Sequence, residues 1–493
     1  MKQILRLANQ PLSPRQTTVA LMMCVFVISR FAYWRMGVRF DDSTLPWFWQ
    51  FLDVPLLRDG LLQSCFHMHS QPPGFNLFLG TVIKLFPAHS TGVYHLCFLL
   101  SGLLIYFSLY VILLMMGMRN WIAAVLSSIF IVNPCAILYE NLLFYTYPTS
   151  GMLTFAAIWF LAYARSGAVR HAVMFFLLVA AICYTRSLFH LVYLIACVGL
   201  LVILRPRAWR ALCLAASPAI ILVTVLYLKN AILFGFFGTS SWLGINLWHS
   251  ASRHVPHSEF QKMAEAGELT EAIPGIPFRA VTNYPASFAE VPTRFQNVPA
   301  LAREMKDGGH PNFNHYAYLR VGREYMNVSR IVIGRNPRSY FCSIADAYLI
   351  YLSPYIEDSS LHKNAERISP LVSVWTNFTQ WIPINLSPGY RWIFGKDVDR
   401  VYPLMQLVLY PSILLISMVF MVRKKLLVGL DVDQVRTACG FALCTIVYVA
   451  VIGNLFDYGE NHRFRVLTMP LFFILFSLCV ERVVYRVTAG TAN

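Results

Sequence analysis

Four short stretches concentrate the residues able to do chemistry. The first is G-V-R-F-D-D, Gly37 to Asp42, where Arg39 stands beside the paired carboxylates Asp41 and Asp42. A carboxylate at the edge of a low-dielectric medium is partly desolvated, which makes it a better base, while the adjacent Arg39 would hold it ionised. Asp42-Ser43-Thr44 also reads as an ordinary helix cap. The second is H-M-H-S-Q-P-P-G-F-N, His67 to Asn76. Its Pro-Pro pair imposes an extended turn and Gly74 opens a short apolar helix, so His69 and Gln71 lie on a polar elbow, suited to touch a substrate. His67-x-His69 is by itself a weak metal signal. The third is N-P-C-A-I-L-Y-E-N, Asn133 to Asn141, with Glu140 as a lone acid that acts on a substrate, caps a helix or pairs with Arg186. The fourth is F-D-Y-G-E-N-H-R-F-R, Phe456 to Arg465, where Glu460, His462, Arg463 and Arg465 crowd into ten residues. Two arginines so placed suit a bound anion, or ion pairs with Asp457 and Glu460. Arg186 and Arg391 are weaker anion candidates of the same kind.

The elements that must position these groups are apolar. The chain is 57% hydrophobic and only 13% charged, with a mean hydropathy of +0.55; an ordinary soluble protein carries roughly 25% charged residues. Long apolar runs at this composition predict an all-α polytopic membrane protein. The net charge of +16 does not point to nucleic acid, because the Lys and Arg lie in short clusters between apolar runs. Eleven cysteines are spread along the chain without a CxxC pair or zinc spacing, and read as small buried hydrophobes. Spans are expected at 17–36, 94–116, 120–138, 147–164, 171–185, 188–204, 211–229, 401–422, 437–455 and 464–482, about ten in all. The run 73–86 has only 14 residues, against about 20 for a crossing.

Parity decides the fate of that short run. If 73–86 lies in the plane of the outer surface and the N-terminus is cytoplasmic, every tight basic cluster falls on one side: Arg119; Arg165 and Arg170; Arg205, Arg207 and Arg210; Arg423, Lys424 and Lys425; Arg482 and Arg486. The positive-inside rule therefore favours ten crossings, both termini cytoplasmic and 73–86 a surface helix. Of the acids, only Asp431, Asp433 and Glu481 then lie inside. The chain divides into a membrane module over 1–229 with a first external loop at 37–93, an external, mostly helical domain over 230–400, and C-terminal membrane helices over 401–493. The span centres hold almost no ionisable residue, with Arg30 as the main exception, near the outer end of the first span. Ion-coupled carriers keep charge near mid-membrane. Polar chemistry gathered at the outer face favours an enzyme acting there.

The order of these features resembles the GT-C superfamily of polytopic glycosyltransferases: a cytoplasmic start, one span, paired acids, a Pro-Pro elbow, a surface helix, two spans and a second external acid. F-D-D at 40–42 resembles that family's acidic motif in the first external loop, and S-Q-P-P-G-F at 70–75 its elbow. I-V-N-P-C-A-I-L-Y-E at 131–140 is similar to the end of the third span, and E-N-H-R-F-R-V-L-T-M-P at 460–470 to a late Glu-x-x-Arg-Tyr-Arg segment. The likeness covers about 15–190 and the C-terminal tail. It departs at Asp42, where many members carry Glu, and at Gln71, where some carry a phosphate-holding Lys.

The resemblance implies transfer of a sugar from a polyisoprenyl-phosphate donor to an acceptor hydroxyl at the periplasmic face of a bacterial inner membrane, or the lumenal face of the endoplasmic reticulum in a eukaryote. It implies Asp41 as the base with Asp42 as fallback, Glu140 positioning the acceptor or a metal, and Arg463 and Arg465 holding phosphate. A divalent metal stays open, and the acceptor is a glycan, a lipid or a protein. The competing classes are a glycan ligase or polymerase with a diphosphate-linked donor, a lipid-carrier transporter and a scaffold.

Overall fold

A computed structural model describes residues 13–269, 278–353, 359–379, 383–385 and 401–490. Among these the chain is helical apart from one short antiparallel pair, Pro383–Asn385 with Val401–Pro403. A helix lies over each of the ten expected runs. Among the described residues five helices are long and apolar enough to cross a membrane: Pro14–Arg35, Ser90–Met115, Pro206–Phe234, Val432–Phe456 and His462–Thr488. A sixth is reached when Asn120–Val132 and Pro134–Glu140, bent by 59° at their junction, count as one span. The remaining apolar runs form shorter helices, among them Gly74–Leu85, Val169–Thr185, Leu191–Leu204 and Leu407–Val422.

The bend is written locally. Asn133 is followed by Pro134, which excludes helical geometry at Asn133 and removes an N–H that a continuing helix would need. Asn133 then caps the next helix, its side-chain oxygen accepting from the Ala136 N–H at 2.9 Å. The restarted helix ends at Glu140.

Two sets of turns gather at opposite ends of the bundle. At one end the Asp431 N–H donates to Met116 O at 3.0 Å, Arg119 lies 3.7 Å from Glu481, and Arg482 donates to Val428 O at 2.7 Å. These are the turns that carry basic clusters. At the other end the first loop, the turns after Glu140 and Thr185, and the segment 457–465 meet the long connection that follows Phe234. The Gly74–Leu85 helix packs there on two short first-loop helices, Val54–Asp59 and Leu61–Phe66.

One large core runs through the bundle. A second, separate core joins Trp242, Trp248, Val281, Phe313, Tyr318, Tyr325 and Val332 within the long connection. Later parts of that connection, Leu361, Ala365 and Ile368, join the main core instead. The described parts of the long connection are therefore packed structure.

Candidate functional site

The segment Asn141–Tyr145 is the rail on which the site is built. The Asp41 N–H donates to Asn141 O at 2.8 Å and the Leu143 N–H donates to Asp41 O at 2.9 Å. Thr44 adds a hydroxyl bond to Leu143 O at 3.2 Å. Phe144, next along, packs against Phe48 and Phe51 of the first loop. The paired acids are thus fastened by backbone to the turn that follows Glu140. The Asp41 carboxylate accepts from the Ser43 N–H at 2.9 Å, and Lys363 stands 4.0 Å from its other oxygen. Asp42 accepts from the Thr91 hydroxyl at 2.5 Å, at the start of the Ser90–Met115 helix. Arg39 is gripped through its backbone by the Asn364 side chain, which accepts at 3.1 Å and donates at 2.8 Å.

Arg463 and Arg186 complete the other side of the rail. The Arg463 guanidinium lies 4.6 Å over the Phe144 ring. Arg186 lies 5.0 Å from both the Tyr145 and Phe464 rings and donates to the Thr146 hydroxyl at 3.2 Å. Both arginines are buried, at 6% and 4% exposure. Arg463 pairs with the exposed Glu460 one turn before it, but its Nε and Nη1 have no hydrogen-bond partner among the described residues. An unfilled guanidinium in a buried place is costly unless something else satisfies it. Burial lowers the Arg186 pKa to about 10, and the nearby Arg463 adds to that pull.

Asp457 follows the C-terminal end of the Val432–Phe456 helix, its carboxylate accepting from the Tyr458 N–H at 2.9 Å. Burial raises its pKa to about 6, against the opposite pull of the Tyr458 N–H, Arg463 and Arg186. The sequence singles it out only as a potential partner of Arg463 and Arg465. The overlooked signal is its position: a helix-terminal acid two residues before Gly459, whose positive φ turns the chain back toward His462.

Other expected residues are placed differently. Glu140 is fully buried and its partner is Arg30, not Arg186. Arg30 donates to both its oxygens, at 2.9 and 2.6 Å, and the Tyr147 hydroxyl donates at 3.0 Å. Gly102 makes room for this: a Cβ there would lie 2.1 Å from Glu140 Oε2. Arg465 points away from Arg463 and donates to Ser353 O at 2.6 Å. His462 is buried beside them at 4% exposure. Arg391 lies outside the described residues.

The elbow is a clamp. His69 is fully enclosed, its Nδ1 2.8 Å from the Ser241 hydroxyl and its N–H donating to Asn314 Oδ1 at 2.9 Å. Burial lowers its pKa to about 3, so the ring is neutral. Asn314 Oδ1 also accepts from the Ser70 N–H, and Lys229 donates to Met68 O at 2.7 Å. Gln71 accepts from the Ser187 hydroxyl at 3.1 Å, one residue beyond Arg186. A Cβ at Gly74 would stand 2.6 Å from Tyr184 O, so only glycine lets the elbow seat on the Arg186 turn.

The arrangement offers buried cationic groups for an anion and a pair of acids held on the same rail. Among the described residues no three of His, Cys, Asp and Glu come together as a metal-ligand set. Comparison of the chain with protein-family models, with curated proteins and with solved structures gives no match.

Proposed function

We propose that this chain is an integral membrane glycosyltransferase of the GT-C kind, moving a sugar from a polyisoprenyl-phosphate donor to an acceptor hydroxyl at the outer face of the membrane. In this reading the ten runs cross the bilayer, both termini are cytoplasmic, and 230–400 forms an external domain over the site. The observation that carries it is the pair of buried arginines, one with unfilled donors, on the same short segment that holds Asp41. A phosphate is a good leaving group, so one base on the acceptor suffices if cations stabilise the departing charge. Asp41 takes the acceptor proton, the acceptor oxygen attacks the anomeric carbon, and the sugar–phosphate C–O bond breaks with its electron pair passing to a phosphate oxygen beside Arg463 and Arg186.

Mass spectrometry of cell-envelope glycans with and without the gene tests the activity. Transfer from a polyprenyl-phosphate sugar by purified protein in nanodiscs tests the donor. Asp41→Asn keeps an oxygen for the Ser43 N–H and is expected to fold normally while losing transfer. An active Asp41→Asn enzyme would remove Asp41 from the role.

Two arginines rather than one also favour a second reading, a glycan ligase or polymerase with a diphosphate-linked donor. Preference between monophosphate- and diphosphate-linked donors at equal lipid length separates the two.

A further inference from the structure

The candidate base, Asp41, has a cationic neighbour that the sequence does not announce. Arg39 stands two residues away, but its guanidinium turns back. It donates to Trp34 O at 2.5 Å and Val38 O at 2.8 Å and lies 4.8 Å over the Trp34 ring. Among the described residues the cation within 4.0 Å of the Asp41 carboxylate is instead Lys363, from far along the long connection.

Lys363 is delivered by a short helix, His362–Arg367, that grips the segment leading to Asp41. The buried Asn364 side chain holds both backbone groups of Arg39, accepting from its N–H at 3.1 Å and donating to its carbonyl at 2.8 Å. Arg367, one turn on, donates to Gly37 O. Gly37 has a φ of +98°, and a Cβ there would lie 3.3 Å from Arg367 Cδ, so the chain passes close under that side chain. Leu361, Ala365 and Ile368 sit in the main core and fix the helix from behind. Asp41 itself is bonded through its backbone to Asn141 and Leu143. The segment 37–41 is thus held from two directions, and packing rather than the ion pair brings Lys363 to Asp41.

The two carboxylate oxygens of Asp41 differ. Oδ1 accepts from the Ser43 N–H at 2.9 Å, whereas Oδ2 accepts no hydrogen bond among the described residues and lies 4.0 Å from Lys363 Nζ. That separation is too long for a direct hydrogen bond, but it suits one oxygen placed between the two groups. A hydroxyl oxygen about 2.7 Å from Oδ2 and about 2.8 Å from Nζ sees them at an angle of roughly 90–95°, which a hydroxyl can span with its proton toward one and a lone pair toward the other. The carboxylate is 12% exposed and the lysine side chain 68%, so the acid is enclosed and the cation stands on the open side, where a ligand enters.

We propose that Asp41 Oδ2 and Lys363 Nζ together form the acceptor subsite, and that its ligand is a neutral hydroxyl, of a sugar or another alcohol, donating to Oδ2 and accepting from Nζ. This deepens the proposed function and rests on it. Asp41 takes the hydroxyl proton, the oxygen's electron pair forms the bond to the anomeric carbon, and the sugar–phosphate C–O bond breaks with its pair passing to phosphate. Lys363 keeps its protons and stabilises the charge developing on the attacking oxygen. Asp41 then returns its proton to solvent. Asn364 and Arg367 are positioning residues that act through the segment 37–41. An ion pair as exposed as this one contributes little to stability, so Lys363 can be replaced without unfolding the protein.

The test uses cells lacking the gene that carry the full-length native protein or a variant at matched membrane levels, with product glycan per protein molecule read by mass spectrometry while it accumulates linearly. Lys363→Met keeps the stem and removes the ammonium. It is expected to lower the rate roughly 10- to 100-fold, below the loss seen when an enclosed oxyanion donor is removed, because the lysine is partly solvated. Lys363→Arg keeps a charged donor and is expected to stay within about fivefold of native. Lys262→Met removes an equally exposed, ion-paired lysine elsewhere in the long connection and is expected to change nothing. Binding of a short-chain prenyl phosphodiester to purified protein in nanodiscs is expected to be equal for native and Lys363→Met; weaker binding by the variant assigns the lysine to the donor phosphate and overturns the acceptor subsite. A fall of less than about tenfold in Lys363→Met, or no better output from Lys363→Arg, likewise overturns the subsite and leaves the transfer reading standing. No product from the native protein overturns both.

Discussion

The Arg30–Glu140 pair gives the sharpest quantitative expectation. Glu140 is at 0% exposure, and both its oxygens accept from Arg30, with Tyr147 as a third donor. Arg30 is itself stacked 3.8 Å over the Phe26 ring and also donates to Ile131 O. Breaking a buried pair by removing one partner leaves an uncompensated charge and costs about 3–5 kcal/mol. Arg30→Met strands the carboxylate, and Glu140→Gln strands the guanidinium while keeping volume and an acceptor for Tyr147. Each single change is therefore expected to lower unfolding stability by about 3–5 kcal/mol. The double change removes both charges, so a coupling energy of about 2–3 kcal/mol is expected. The assay is equilibrium denaturation in mixed micelles, with a double-mutant cycle and transfer activity measured on the same preparations. If Glu140→Gln left stability unchanged and abolished transfer, the acid would be acting on substrate and the structural account of the pair would be refuted.

Gly74→Ala places a Cβ against Tyr184 O, so it is expected to unseat the elbow from the Arg186 turn, cutting activity at least tenfold while circular dichroism shows retained helix. Asn314→Ala leaves two buried N–H groups, of His69 and Ser70, without their acceptor, at a cost of about 2–4 kcal/mol readable by thermal shift. Acid should weaken the clamp. His69, and the buried His315 beside Asn314, whose Nδ1 accepts from the Ala317 N–H, have folded pKa values lowered by burial to about 3 and about 4, below the unfolded value near 6.5. Between those limits the unfolded chain binds more protons, so stability present above pH 6.5 is lost as pH falls, by about 2 kcal/mol per histidine at pH 5. Melting temperature measured from pH 7.5 to 4.5 should fall, and His69→Gln should flatten the curve; an unaltered slope refutes the assignment.

Much of the architecture is legible without coordinates because the signals are local. Helix lies over each of the ten apolar runs, in two pieces over 120–138, since a long apolar run has few other ways to satisfy its backbone. Asn133-Pro134 announces its own break. The short run 73–86 is a separate helix at Gly74–Leu85, as its length and the preceding Pro-Pro suggest. Arg119, Glu481, Arg482 and the turn 426–431 meet at one end of the bundle. Length and composition mark five of the described helices, or six with the bent pair, as long and apolar enough to cross.

The site was legible only as a list of residue types. Sequence alone determined that most acids and arginines fall in the segments between apolar runs, because an unpaired charge inside an apolar run is costly. It could not determine who pairs with whom. Glu140 finds Arg30, 110 positions away, rather than Arg186. Arg463 and Arg465, two residues apart, diverge because side chains two apart on a helix point to different faces. His69 turns inward to close a clamp with Ser241 and Asn314, residues that follow it by 172 and 245 positions. Asp457, offered by the sequence as an ion partner of the late arginines, accepts instead from the Tyr458 N–H, and Arg463 pairs with Glu460. Such pairings depend on which faces meet across the bundle, a property of tertiary packing that no local pattern encodes.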